Sequence, residues 1–235
     1  MSSKYSNTFV IFCYNEEKNV EDTFVNLNSA ILDHPLFTNS TILFIDDCST
    51  DNTYGVMQKI QLAFPNVLIY QNIRNLGIGK TILRGLDLSH SDFVCSIPGD
   101  GQFDPKDLRL VYSLNLNEIV SFTRRKHEQY NFFRVLLTNS NKRLNRLLFG
   151  LKLEDVNWVK IISKQSVNTR QIIAETSYIE SEICIKHLKN KGSFKEIQTT
   201  YLLRNHGKSN AVNFKNLFKI GIDVLYLYLK LKLKL

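Results

Sequence analysis

The sequence predicts an α/β fold, a mostly parallel central sheet flanked by helices, with a basic amphipathic tail at its C-terminal end. Three observations predict it. Apolar runs of strand length alternate with segments of helical period from Phe9 to Phe122. Polar clusters rich in Asn, Asp and Glu follow the first two runs, and a Pro-Gly-Asp turn follows a later one. From Asn213 onward the composition turns to leucine and lysine. Strands alternating with helices at this spacing make βαβ units, and those build parallel sheets.

Phe9 to Tyr14 (FVIFCY) reads as a buried first strand, with Asn15-Glu16-Glu17 as its polar exit. A helix to about Leu32 follows, because Val20, Phe24, Leu27 and Ile31 recur on one face. Thr41 to Ile45 is the second strand and Asp46-Asp47-Cys48-Ser49-Thr50-Asp51 its exit loop. The next helix carries Val56, Ile60 and Ala63, and Pro65 ends it. Val67 to Tyr70 is a third strand, and Asn75 to Lys80 leads into a helix through Leu86. Phe93 to Ile97 (FVCSI) is a fourth, which Pro98-Gly99 stops; Asp104-Pro105 then starts a helix. Glu118 to Phe122 and Val156 to Ile162 read as further strands, Glu180 to Lys189 as a helix and Ser193 to Tyr201 as a last strand. The alternating terminal KLKLKL suits a helix poorly. One domain over 1–212 and a tail over 213–235 is the economical organisation.

At 235 residues, 43% hydrophobic and 22% charged, the chain has the composition of a globular protein with one substantial core. Its net charge of +8 favours an anionic partner. No recognised nucleic-acid motif is present, so a phosphorylated substrate or an anionic membrane is favoured. The four cysteines form no CxxC pair, which argues against a zinc site and for reduced thiols in the cytosol. The N-terminal apolar run is too short for a secretory signal, and no stretch approaches membrane-spanning length.

The segment Ser91 to Asp107 (SDFVCSIPGDGQFDPKD) carries the clearest chemistry. In open α/β sheets, ligands bind beyond the carboxyl ends of strands, and Asp100 and Gln102 emerge there. A carboxylate and an amide oxygen two residues apart suit a hard divalent cation such as Mg²⁺ or Mn²⁺ that shares substrate phosphates. The alternative is a turn that caps the next helix. Asp46 and Asp47 would lie at the same edge beside Tyr14, Asn15 and Glu16, where a carboxylate can accept from ribose hydroxyls and Tyr14 can stack on a base. GIGKT is not a Walker A loop, because Arg74 stands where that motif needs its first glycine.

Together, CYNEEKNV, FIDDCSTDNT, NLGIGKTILRGL, the GDGQFDP loop and the RNHGKS loop resemble, in order and spacing, the family 2 glycosyltransferases of the GT-A fold. The resemblance is to the branch of dolichyl-phosphate mannose synthase and the bacterial polyprenyl-phosphate glycosyltransferases, and it covers Phe9 to Ser209. It implies a nucleotide-diphosphate sugar donor, with Tyr14, Glu16, Ile45 and Asp47 at the nucleotide and Asp46 and Gly99 beside them. The family's Asp-x-Asp-x-Gln metal motif falls on Pro98, Asp100 and Gln102, so its first Asp is missing here. Arg124 matches an arginine near the diphosphate, and Arg204 another in the late basic loop. The lysine expected six residues on falls on Asn210, with Lys208 as its substitute.

The implied reaction is an inverting hexosyl transfer to a polyprenyl phosphate, with Asp100, Arg124 and Arg204 in catalytic positions. Arg134, Arg143 and Arg146 are candidates for the acceptor phosphate, or else the solvated face of a core-packing helix. The tail reads as an interfacial helix at the cytosolic face of an anionic membrane, or one packed on its own domain or a second subunit. Transfer to a sugar hydroxyl is the rival reaction. It needs a base, for which Asp155, Glu180 and Glu182 are the candidates. A nucleotide-sugar-binding relative without turnover is the third reading, supported by Pro98.

Overall fold

The computed structural model describes residues 4–124, 132–204, 206–207 and 214–233, with side chains from 139 in the fourth helix and from 217 in the last. Seven strands, β1 (Asn7–Cys13), β2 (Thr41–Asp46), β3 (Val67–Gln71), β4 (Phe93–Pro98), β5 (Glu118–Arg124), β6 (Lys160–Ser163) and β7 (Ser193–Thr199), form one sheet. Their order is β3-β2-β1-β4-β6-β5-β7. All pairings are parallel except those of β6, which runs antiparallel to β4 and β5. Among the described residues six α-helices flank it: α1 (Val20–Leu32), α2 (Thr53–Ala63), α3 (Ile78–Leu88), α4 (Phe132–Phe149), α5 (Ile179–Lys189) and α6 (Phe214–Leu233).

Alternation along the central strands decides which helix lies on which face. Phe9, Ile11 and Cys13 of β1, with Ile42 and Phe44 of β2, pack against Val20, Phe24 and Leu27 of α1 and Met57 and Ile60 of α2. Val10, Leu43 and Ile45 point the other way, into a second core with Ile82 and Leu86 of α3, Ile183 of α5 and Val224 and Leu227 of α6. The chain leaves β1 toward β2 and β3 and then returns to β4 on β1's other side. That reversal puts a topological switch point between β1 and β4, where open sheets bind ligands. Register places Cys13, Asp46, Gln71 and Pro98 at the same end of their strands.

Four elements differ from expectation. The helix after the metal loop is a short 3₁₀ turn, Pro105–Leu110, although Asp104 caps it as expected, accepting from Lys106 N at 3.0 Å. On α2 the buried face is Thr53, Met57 and Ile60, while Ala63 is exposed. The strand expected over Val156 to Ile162 is shorter, Lys160–Ser163, and ahead of it Asp155 is bound to Arg124. The tail is helical through Leu233 despite its alternating lysines. That helix docks: Asp223 accepts from Glu175 N (3.1 Å), Thr176 N (3.0 Å) and Thr176 Oγ1 (2.6 Å), and Leu227 is fully buried.

Docking of α6 predicts unequal effects from two leucines two residues apart. Leu227→Ala should reduce the unfolding free energy by about 3 kcal/mol, the usual loss for a buried leucine. Leu225, 59% exposed, should change it by no more than about 0.5 kcal/mol when made alanine. Urea titration of both variants measures this, and equal small effects would contradict the docking.

Candidate active site

The loops leaving β1 and β2 are stitched together by side chain to backbone hydrogen bonds. Asn15, in the left-handed region at φ 58°, donates its N–H to Ser49 Oγ (2.9 Å) and accepts from Thr50 N (2.8 Å). Glu16 N donates to Thr53 Oγ1 at 2.8 Å, and Glu17 accepts from Asn52 N at 3.0 Å. Asp46 is wholly buried and accepts from Gln71 Nε2 (2.8 Å), Ser49 N (3.2 Å) and the Ser49 hydroxyl. Asp47 accepts from Asn72 Nδ2, Leu76 N and Gly77 N, each at 2.8 Å. Both aspartates therefore build the floor of the loop cluster. A carboxylate has about four acceptor sites, so the described residues leave Asp47 one for a further donor. The side chain of Ile45 is fully buried beneath α3 and serves the core. Tyr14, 39% exposed, is the ring this cluster presents to solvent.

At the switch point Gly99 N donates to Phe12 O at 3.0 Å, and a Cβ at Gly99 would lie 2.2 Å from Cys13 Sγ. Only glycine allows that approach, which carries the loop across the end of β1. Asp100 follows, half-buried, its Oδ1 accepting from Gln102 N at 3.1 Å. The Gln102 amide donates to Tyr201 Oη at 2.5 Å, and Leu202 N donates to Gln102 O at 2.9 Å. The metal loop is thus tied to the segment that leads to Arg204. Arg204 forms an ion pair with Glu16 and donates from Nε to His206 O at 2.7 Å. Asn19 Nδ2 joins both, reaching Glu16 Oε2 at 2.7 Å and His206 O at 3.2 Å. Burial pushes the Glu16 carboxyl up, and the nearby charge of Asp100 adds to this; Asn19 and Arg204 pull it down. Lys208 lies outside the described residues.

Arg124 is the last residue of β5 and is held on several sides. It donates to Asp155 from Nε (2.6 Å) and from the terminal NH₂ (2.9 Å), reaches Asn157 O at 3.3 Å, and lies 4.5 Å over the Trp158 ring. Behind them Lys160, 3% exposed, donates to Trp158 O (2.6 Å) and Glu180 Oε1 (3.2 Å). Burial pushes the Glu180 carboxyl up, against the pull of Lys160. A cavity of about 720 Å³ opens among these groups. Pro98, Asp100, Gln102, Arg124, Asp155, Trp158 and Glu180 line one side, and Leu217, Ile220, Gly221 and Val224 of α6 line another. Glu180 is a candidate base from the sequence, but spacing gave no hint of Trp158 and α6 as its neighbours.

The basic segment does not converge as its sequence suggested. Arg143 and Arg146 are exposed on α4 and do not line the cavity; among the described residues of α4 the cation that does is Lys142, paired with Glu154. The side chain of Arg134 lies outside those described. Of the candidate bases, Glu182 is excluded by place: it is fully buried, accepting from Ile173 N (3.0 Å) and Ala174 N (2.7 Å).

Among the described residues no group of three or more His, Cys, Asp or Glu could hold a metal by itself. Asp100 and Gln102 offer one carboxylate and one amide oxygen. That set fits a Mg²⁺-like ion only when diphosphate and water oxygens complete the shell.

Asp47 gives a local test. Asp47→Ala strips the acceptor from two backbone amides, and each hydrogen bond to a charged group contributes about 1.5–3 kcal/mol. Hydrogen exchange at Leu76 and Gly77 should accelerate while amides of β1 and β2 stay protected. Unchanged protection at 76 and 77 would mean the carboxylate does not organise that loop.

A family profile described as Glycosyl transferase family 2 matches residues 8–169. A UDP-N-acetylglucosamine–dolichyl-phosphate N-acetylglucosaminyltransferase of Methanococcus voltae is 25% identical, over 93% of this chain and 94% of its own. A dolichol-phosphate mannosyltransferase of Pyrococcus furiosus is 23% identical over 85% of this chain, which spans 57% of that relative. Among solved structures, glucosyl-3-phosphoglycerate synthase from Mycobacterium tuberculosis in complex with UDP superposes with a TM-score of 0.67 at 17% identity, over 97% of this chain and 80% of that one. The same enzyme with Mn²⁺, UDP-glucose and phosphoglyceric acid gives 0.69 at 16%, over 97% and 79%. At such identities the likeness establishes the fold, and the profile match over most of the chain establishes the rest: the chain belongs to glycosyltransferase family 2 and is a glycosyltransferase of the GT-A fold.

Proposed function

We propose that the chain transfers a sugar, with inversion, from a nucleotide-diphosphate sugar to a polyprenyl phosphate. The relatives named as dolichyl-phosphate glycosyltransferases support the acceptor class. One observation of this chain carries the reading: Asp155 and Glu180, two candidate bases that line the cavity, are held in ion pairs, with Arg124 and Lys160. A phosphate monoester has a second pKa of about 6 and is already charged at neutral pH, so it attacks without a base. It needs positioning beside cations.

The nucleotide would lie across the exit loops of β1 and β2, with Tyr14 against the base and the remaining acceptor site of Asp47 toward a donor on it. The acceptor oxygen attacks the anomeric carbon as the nucleoside diphosphate leaves from the opposite face, which inverts the centre. Arg204 and Arg124 would hold the leaving diphosphate, Arg204 sharing its charge between Glu16 and the phosphates. Held in place before the reaction, such charges stabilise a growing anion at no cost in reorganisation. A divalent cation at Asp100 and Gln102 would neutralise charge on the same leaving group.

No helix among the described residues is long and apolar enough to cross a membrane. The outer face of α6 exposes Phe218, Ile222, Leu225, Tyr226 and Leu229 beside Lys219 and Lys232, the pattern of a helix lying on an anionic membrane surface. Arg143 and Arg146 add exposed cations and suit lipid headgroups better than the cavity.

A sugar hydroxyl as acceptor is the second reading, favoured by the raised carboxyl of Glu180 on the cavity. Glu180→Gln separates the two: transfer should persist within about tenfold for a phosphate acceptor, and fall by about a hundredfold or more if Glu180 is the base. Asp100→Ala should reduce transfer by about a hundredfold or more, the usual scale for removing a charge-stabilising group, and Gln102→Ala by less. Normal rates in Asp100→Ala, or in chelator-treated wild type, would remove the cation from the reaction.

A further inference from the structure

Helix α6 lies beyond residues 8–169, so membership of the family says nothing about its role. It still walls the cavity that opens on Asp100 and Arg124, through Leu217, Ile220, Gly221 and Val224. These positions recur at i, i+3, i+4 and i+7, one face of a helix. The rotation of that face is fixed by Asp223, which bonds Thr176 N at 3.0 Å and Thr176 Oγ1 at 2.6 Å. Three of the four are aliphatic. The fourth is a glycine inside a 20-residue helix, where glycine is among the poorest formers.

Packing does not demand that glycine. Among the described residues a Cβ built at Gly221 meets no atom within 4 Å, whereas one at Gly99 would overlap Cys13. The room left by the missing side chain belongs to the cavity. Lys142 and Arg124 belong to the same lining, with Asp100 and Gln102. One cavity therefore joins cationic and polar side chains to an aliphatic wall with space before it. An amphiphile with a phosphate head and a hydrocarbon tail matches both sides.

We infer that α6 forms part of the acceptor site: the first isoprenoid units of the lipid phosphate lie along Leu217, Ile220 and Val224, in space kept open by Gly221. This rests on the polyprenyl-phosphate reading above. Burial of the chain against aliphatic side chains supplies affinity, and Lys142 is a cation on the same lining for the head.

The test compares Gly221→Leu and Gly221→Ala with wild type in detergent, using a long polyprenyl phosphate and isopentenyl phosphate as acceptors. Gly221→Leu should raise the KM for the long acceptor about tenfold or more, and Gly221→Ala about threefold, the scale on which added methylenes are felt in an apolar site. The KM for the nucleotide sugar should stay within about twofold, as expected of an interaction made with the acceptor alone. The increase should be smaller for isopentenyl phosphate. An unchanged KM in both variants, with lipid product from wild type, overturns the inference. So does an equal increase for both acceptors, which would place the blocked space at the phosphate. If the leucine variant fails to fold, the alanine variant decides, because its methyl meets no atom of the described residues. Absence of lipid product from wild type itself is a separate result and removes the acceptor reading on which the inference stands.

Discussion

Gly99 lies so close to β1 that a β-carbon there would come within 2.2 Å of the Cys13 sulfur. That approach lets the loop after β4 fold across the end of β1, and the rest of the site follows from it. Asp100 arrives beside the β1 exit, near enough that its charge helps raise the Glu16 carboxyl. Glu16 in turn holds Arg204, and with it the loop that returns from the far end of the sheet. Tyr201 fastens the same segment to Gln102. Groups about two hundred positions apart in sequence are thereby gathered at one switch point.

Around that point charges occur in pairs. Arg204 sits on Glu16, Arg124 on Asp155 and Lys160 on Glu180. A charge buried alone is strongly unfavourable, and removing one partner of such a pair is more damaging than never having had it. The pairing has a second effect. It fixes guanidinium groups before any ligand arrives, and fixed charges act on a developing anion without first having to reorganise. Asp155 and Glu180 on the cavity are consequently engaged, which is what makes an acceptor that brings its own charge the better fit.

Much of this architecture was legible in the sequence, for a local reason. Strand β1 reads as FVIFCY because both of its faces are buried, and α1 announces itself through Val20, Phe24, Leu27 and Ile31. The exit loops carry recognisable residues at recognisable spacing, so Glu16, Asp47, Asp100 and Arg204 could be named in advance. Their partners could not. That Asp47 would be occupied by Leu76 and Gly77, or that Arg124 would clasp Asp155, depends on which loops meet in space. The cavity is still less visible, since Trp158, Glu180 and Gly221 share no motif. The tail reads as an amphipathic helix and only its terminal period-two lysines speak against one; Asp223, Val224 and Leu227 fasten that helix to the domain. Tertiary packing outweighed the local pattern there.

The central claim is that this glycosyltransferase works on a phosphate carried by an isoprenoid. It is tested most directly by incubating the protein with polyprenyl phosphate and a panel of labelled nucleotide sugars, then determining the mass and anomeric configuration of any lipid product. The account predicts a single sugar joined to the lipid through one phosphate, with its anomeric centre inverted relative to the donor. A product joined through a sugar hydroxyl, or a lipid-linked sugar that retains the donor's configuration, would contradict it.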